Sequence, residues 1–322
     1  MSWLNTIRRK VFVNIAMAQP CDLSGQTFVV TGASEGSLGF ATATTLLQWG
    51  ASVIVTKRKH SEQLYPVLLP YCQDTSSSTQ AQLICLDLDL CDRASVDAFC
   101  QRVHEQTLAL NGLINNAGIH LDLMSAWQTP QLSHDGHEIH WRTNGLGTAH
   151  LTLGLLPLLQ RAGETCGDAR IVNVVSALHH KGVNRDFFEP SATYNSWQAY
   201  GQSKLALVHM TQALADQYQG CGLSSYCLHP GAVMTKVADK GLAGHRWLEA
   251  IRRVLAPVER FFLCTPEEGA QTQIHLATAD LALLQNGAYY CNSRVAPRSA
   301  EAGDKAVSKR LWQTLTLWVQ NG

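Results

Sequence analysis

Tyr200 and Lys204 stand four residues apart in Ala199-Tyr-Gly-Gln-Ser-Lys-Leu-Ala206. On a helix that spacing puts both side chains on one face. A phenol titrates near 10, too high to exchange protons readily at neutral pH. A neighbouring ammonium favours the phenolate and lowers that value, so the pair reads as a general acid/base unit. A second pattern is suited to binding: Thr31-Gly-Ala-Ser-Glu-Gly36-Ser-Leu-Gly39 follows an apolar run and precedes a helical one. Glycines there let the backbone turn tightly and approach a pyrophosphate, which the amides of a helix N-terminus can receive. His134-Asp-Gly-His137-Glu-Ile-His140 imitates a metal cluster. It lacks the His-Glu-x-x-His spacing that sets two ligands on one helical face, and no metal site is expected.

The elements that must position these groups follow from the pattern of apolar residues. Short, β-branched runs predict strands at Thr27–Thr31, Ala51–Thr56, Leu83–Leu86, Leu113–Ile114, Arg170–Val175 and Ser224–Leu228. Helical patterns fill the intervals at Phe40–Trp49, Ser95–Thr107, Gly145–Leu159 and Ala199–Tyr218, and Ser76–Thr79 reads as a loop. Alternating strands and helices imply an α/β fold: a single-domain, Rossmann-type doubly wound parallel sheet with helices on both faces. The domain is expected to span residues 22–322, with a lid over about 232–264 covering the crevice at the strand carboxyl ends. That lid is apolar, with Leu242, Trp247, Leu248, Ile251, Phe261 and Phe262.

Of the 322 residues, 46% are hydrophobic, and 25 basic residues balance 25 acidic ones, so the chain lacks the basic field that a nucleic-acid partner requires. Ten scattered cysteines without a Cys-x-x-Cys pair read as reduced and intracellular. No run of about 18 apolar residues suggests a spanning helix. Residues 1–21 form a separate basic segment: Arg8, Arg9 and Lys10 occur with no acidic residue before Asp22, and Trp3, Leu4, Ile7 and Val11 can share a helical face. A short surface helix, a mitochondrial transit segment and an interfacial membrane helix are the readings left open, so the expected location is cytoplasmic or organelle-associated.

Four further motifs occur in order: Asn115-Asn116-Ala117-Gly118, Ser176 after the fifth strand, Tyr200-Gly-Gln-Ser-Lys204, and His229-Pro230-Gly231. Together they resemble the short-chain dehydrogenase/reductase family over about Asp22 to Cys291. Ala199–Ala206, Thr265-Pro-Glu-Glu-Gly-Ala270 and the stretch Tyr289–Trp312 resemble its retinol-dehydrogenase-like branch. The resemblance implies an enzyme that moves a hydride between nicotinamide and a carbonyl or alcohol carbon. Tyr200 is then the acid/base and Lys204 holds the ribose. Ser176 orients the substrate oxygen, and Asn144 holds a water that links Lys204 to solvent, although Asn144 also suits a helix cap. Gly32, Ser34, Gly36, Ser37, Leu38 and Gly39 are expected at the phosphates. Asp89 and Leu90 match the adenine contacts, with Asn116, Ala117 and Gly118 along the adenosine side and Val233 and Thr235 at the nicotinamide.

Lys57-Arg58-Lys59 after the second strand indicates the cofactor. An acidic residue there accepts the ribose hydroxyls of NAD, whereas cations pair with the 2′-phosphate of NADP, so NADP(H) is expected. One departure stands out. The family loop has glycines four and six residues after the first, but here Gly36 and Gly39 lie four and seven after Gly32, which puts the loop geometry in question. This residue is the ground for a rival reading, a non-catalytic NADP-binding scaffold or sensor. The branch implies a small lipophilic partner, a retinoid, steroid or fatty aldehyde. Peripheral membrane contact and a homo-oligomer stay open. His179 and His180 read either as pocket lining or as a solvated pair.

Overall fold

The computed structural model describes residues 15–72, 81–121, 127–189, 193–231 and 264–321. The expected lid, with Val233 and Thr235, the first 14 residues and the loop Ser76–Thr79 lie outside them. The strands are β1 Thr27–Val30, β2 Ser52–Lys57, β3 Leu83–Asp87, β4 Gly112–Asn115, β5 Ala169–Val174, β6 Leu223–His229, β7 Tyr289–Cys291 and β8 Arg294–Val295. They form one sheet in the order β3-β2-β1-β4-β5-β6-β7-β8. Pairing is parallel from β3 through β7, and β8 turns back antiparallel. Strand order reverses at β1, between β2 and β4, and the carboxyl ends there open the crevice in which such sheets bind ligands.

Side chains alternate across this sheet with the period of two that extended backbone imposes. Val29, Ile54, Leu113, Ile171 and Cys227 enter one core, and Phe28, Val30, Val53, Val55, Ile114 and Val172 enter the other. Both sets are fully buried because each face is covered by helices. The first core takes Val96, Phe99 and Val103 from α2 (Arg93–Gln106), Leu155 and Leu159 from α3 (Thr148–Cys166), and Leu205 and Val208 from α4 (Ser196–Gln217). The second takes Leu46 and Leu47 from α1 (Leu38–Gln48) and Leu276 from α5 (Gln271–Thr278). A last helix, α6 (Lys305–Asn321), lays Ser308, Leu311, Trp312 and Leu315 on the first core, at helical spacing.

Where the elements depart from the sequence reading, packing is the reason. The expected helix from Gly145 instead opens with a π-helical turn, Trp141–Gly147, and continues through Pro157 to Cys166. Buried leucines on either side of Pro157 hold the helix past the missing amide donor, and Gly167 ends it at φ +74°. Strands β7 and β8 are too short to show a period. Among the described residues no helix is long and apolar enough to cross a membrane, and no cluster of metal ligands forms. Of the N-terminal basic segment, Ile15 to Cys21 is described: the Ala18 amide donates to Gln271 Oε1 at 2.9 Å and the Ala16 amide to Asn292 Oδ1 at 3.1 Å. This stretch therefore packs on the domain.

Candidate active site

Around the switch point lies a cleft of about 640 Å3. Gly32 and Gly36 stand at φ +71° and +72°, a region that a side chain disfavours, so the chain between β1 and α1 can double back. Within that loop the Ser37 amide bonds the Ser34 carbonyl at 3.0 Å. Ser37 then caps α1: its Oγ accepts from the Phe40 amide and donates to the Gly32 carbonyl, both at 3.1 Å. Gly39 sits in the first turn against that carbonyl, where a Cβ would lie 2.7 Å from Gly32 O.

Two hydroxyls hold this loop to its neighbours. Thr31 Oγ1 accepts from the amides of Asn116 and Ala117 at 3.0 and 2.9 Å, and Asn116 Nδ2 returns a bond to Thr31 O at 2.8 Å. Thr56 Oγ1 accepts from the Gly32 amide at 3.1 Å. Gly32, Ser34, Gly36, Ser37 and Leu38 line the cleft with Asn116, Ala117 and Gly118, and Lys57, Arg58, Asp89 and Leu90 line its outer end. Arg58 Nε lies 3.7 Å from Asp89 Oδ2, with the arginine largely in solvent. Leu90 is fixed through its carbonyl, which accepts from Arg142 NH1 at 2.8 Å.

At the other end, Ser176, Tyr200 and Lys204 face one another across the carboxyl end of β5. Lys204, only 4% exposed, extends its Nζ to the Val174 carbonyl at 3.0 Å and lies 5.8 Å from the Tyr200 ring centre. Gly118 makes room for it, since a Cβ there would stand 3.0 Å from Lys204 Nζ. Burial depresses the Lys204 ammonium to about 8. The same burial pushes the Tyr200 phenol up to about 12, against a hydrogen bond with Ser176 that lowers it. Loss of hydration thus raises the phenol, and the expected lowering is not what the protein's own groups achieve.

Asn144 is not a helix cap, as one sequence reading had it. It lies within the π turn, fully buried, where its Oδ1 accepts from the Ile119 amide at 2.8 Å and its Nδ2 donates to Ile119 O at 2.9 Å and Ser203 Oγ at 3.1 Å. Wide turns of this kind often occur at functional sites. Asn144 and Gly39 back the cleft without lining it.

His179 does not line the cleft: it is fully buried behind Ser176, while His180 is exposed. Sequence reasoning missed His120, which lines the cleft and stacks on Tyr200 with ring centres 4.1 Å apart and 11° between planes, with Trp197 edge-on at 5.0 Å. Its signal was its place, two residues past Gly118 at the end of β4. The His134–His140 run is structural: Asp135 accepts from Arg142 Nε at 2.5 Å, and Glu138 pairs with His140 Nδ1 at 2.8 Å.

The family model described as short chain dehydrogenase matches residues 26–244. Human retinol dehydrogenase 11 is 32% identical over 305 residues, covering 94% of this chain and 89% of that protein. Human retinol dehydrogenase 14 is 34% identical over 302 residues, covering 90% and 85%. Among solved structures, the Pseudomonas aeruginosa RhlG/NADP active-site complex aligns with a TM-score of 0.61 and 26% identity over 85% of this chain and 97% of that one. A short chain dehydrogenase from Escherichia coli CFT073 complexed with NADPH aligns with a TM-score of 0.59 and 25% identity over 86% and 100%.

Proposed function

From the premise that this chain belongs to the short-chain dehydrogenase family, in its retinol-dehydrogenase-like branch, we propose that it is an NADP(H)-dependent oxidoreductase acting on a lipophilic carbonyl or alcohol. Its substrate is of the retinoid, steroid or fatty aldehyde class. The observation that carries this reading is one continuous cleft with Arg58 at one end and Ser176, Tyr200 and Lys204 at the other. The lining suits a dinucleotide: Gly32 and Gly36 clear its floor, the first turn of α1 offers amides to the phosphates, and Lys57 and Arg58, which line the cleft, would pair with a 2′-phosphate. When bound, the nicotinamide supplies or accepts the hydride.

The chain's own residues do the remaining work. Ser176 Oγ holds the substrate oxygen and is itself bonded to Tyr200, so the reacting oxygen sits beside the phenol. In reduction Tyr200 gives its proton to the developing alkoxide, and in oxidation it takes the alcohol proton. Lys204, whose Nζ lies beside Gly118, would hold the ribose, and Tyr200 would regain its proton through Lys204 and a water at Asn144. The scaffold alternative rests on the inserted loop residue; the bond from Ser37 Oγ to the Gly32 carbonyl and the close approach of Gly39 to it support the catalytic reading.

The test is a panel of retinal, steroid ketones and fatty aldehydes with NADPH or NADH, followed by cofactor absorbance. Turnover with NADPH on at least one apolar carbonyl is expected. Tight NADPH binding with no turnover across the panel would instead favour the scaffold.

A further inference from the structure

Beside Ser176 lies a buried histidine that the reaction as proposed leaves unused. His179 sits in the 3-10 turn Ala177–Lys181, for which Ser176 is the N-cap. Its main-chain amide donates to the Ser176 carbonyl at 3.0 Å, and its Nδ1 lies 2.7 Å from the same oxygen. On the ring's far side, the Ser299 amide points at Nε2 at 3.2 Å. The ring itself is fully buried, 4.9 Å from that of Tyr289.

These contacts admit one protonation state. An amide N–H can only donate, so Nε2 is bare and accepts. The proton of a neutral imidazole must then be on Nδ1, where it donates to Ser176 O. An imidazolium would set Nε2–H against the Ser299 N–H. Burial, with His180 and His229 nearby, also lowers the histidine's proton affinity. The donor at Ser299 comes from the C-terminal stretch, which is tied to the same loop a second time: the Asn184 amide donates to Glu301 Oε2 at 2.6 Å and Asn184 Nδ2 to Glu301 O at 2.8 Å.

We propose that His179 is the positioning residue for Ser176, fixed as its Nδ1–H tautomer by the Ser299 amide, so that the C-terminal segment sets the oxygen-binding end of the site. This rests on the reading of Ser176 given above. His179 touches neither substrate nor cofactor. It orients a carbonyl, and through it the hydroxyl that must meet the substrate oxygen.

Three variants separate this role from simple support. His179→Asn keeps a donor near Nδ1, His179→Gln keeps only an acceptor near Nε2, and His179→Leu keeps neither. Each is assayed for kcat, KM and NADPH binding on a carbonyl that the wild type reduces, alone and in the Ser176→Ala background. With small shifts in geometry costing up to about 100-fold in rate, His179→Leu and His179→Gln are expected to lose about tenfold or more in kcat with NADPH affinity unchanged. His179→Asn recovers most of that loss, and in the Ser176→Ala background the His179 effects disappear. 15N-histidine NMR of the wild type should show His179 protonated on Nδ1 and bare on Nε2, a readout that holds whether or not a variant folds.

Unchanged kcat in His179→Leu while Ser176→Ala loses rate overturns the positioning role. So does a loss that persists in full without Ser176, or a proton found on Nε2. Wild-type turnover in Ser176→Ala is a different failure: it removes the assignment of Ser176 itself, and His179 with it.

Discussion

Replacing Lys204 by Met should make the protein more stable while ending its chemistry. Nζ is buried and, among the described residues, bonds the Val174 carbonyl at 3.0 Å, and burial brings the ammonium from 10.5 to about 8. At about 1.4 kcal/mol for each tenfold change in proton affinity, holding that charge in place costs about 3 kcal/mol. Methionine fills similar volume without charge, and the lost hydrogen bond returns about 1 kcal/mol to the debit side. The net gain is then about 2 kcal/mol, a rise of a few degrees in Tm. The pH dependence has a definite sign. Below about 8 the lysine is charged in both folded and unfolded chains, so the penalty is complete and Lys204→Met has its largest advantage. Between about 8 and 10.5 the folded protein has shed the proton and the unfolded chain has not, so wild-type stability climbs toward the variant's. Urea unfolding of both proteins at pH 7, 8, 9 and 10 measures this directly. A variant less stable than wild type at pH 7, or a gap that does not narrow by pH 10, refutes the reasoning. Such an outcome would mean that Lys204 is structural, whereas the expected one marks a residue kept at the expense of stability.

Tyr200→Phe removes one hydroxyl and keeps the ring on His120, so turnover should fall by at least about 100-fold with NADPH affinity nearly unchanged; retained turnover would end its role as the acid/base. Arg58→Ala should weaken NADPH binding by about 1.5–3 kcal/mol and leave NADH binding as it was, and equal losses for both in a titration would remove the 2′-phosphate assignment. Gly39→Ala puts a Cβ 2.6 Å from Asn116 Nδ2 and 2.7 Å from Gly32 O, so both stability and cofactor affinity should drop in denaturation and binding assays. Gly303→Ala, with nothing within 4 Å, serves as the neutral control. Deleting residues 1–14 should leave folding and NADPH binding intact and change cellular distribution, whereas deletion through residue 20 also removes the buried Ala18 and its bond to Gln271 and should cost stability.

Much of the fold was legible because its signals are local. A buried parallel strand must be a short apolar run, so β1, β2, β5 and β6 could be read within a residue or two of their ends. The Tyr200–Lys204 pair was legible because a helix converts a spacing of four into a shared face. Lys57-Arg58-Lys59 was legible because charge at a strand end needs no partner to be noticed. The sequence by itself therefore determined the order of elements and the chemical types around the crevice.

Only the tertiary structure decided how those types behave. Whether the Tyr200 phenol moves up or down depends on how deeply it is buried and what it bonds, and neither is written in the spacing. His120 reaches Tyr200 from a different strand end, 80 positions away, and His179 reaches Ser299 across 120. The one-residue insertion looked like a defect in the linear motif. In three dimensions Gly39 meets the Gly32 carbonyl with no side chain between them. Spacing along the chain is a proxy for geometry only inside one regular element. Where a site is assembled from several strand ends, the backbone between them can lengthen or turn without moving the groups that meet.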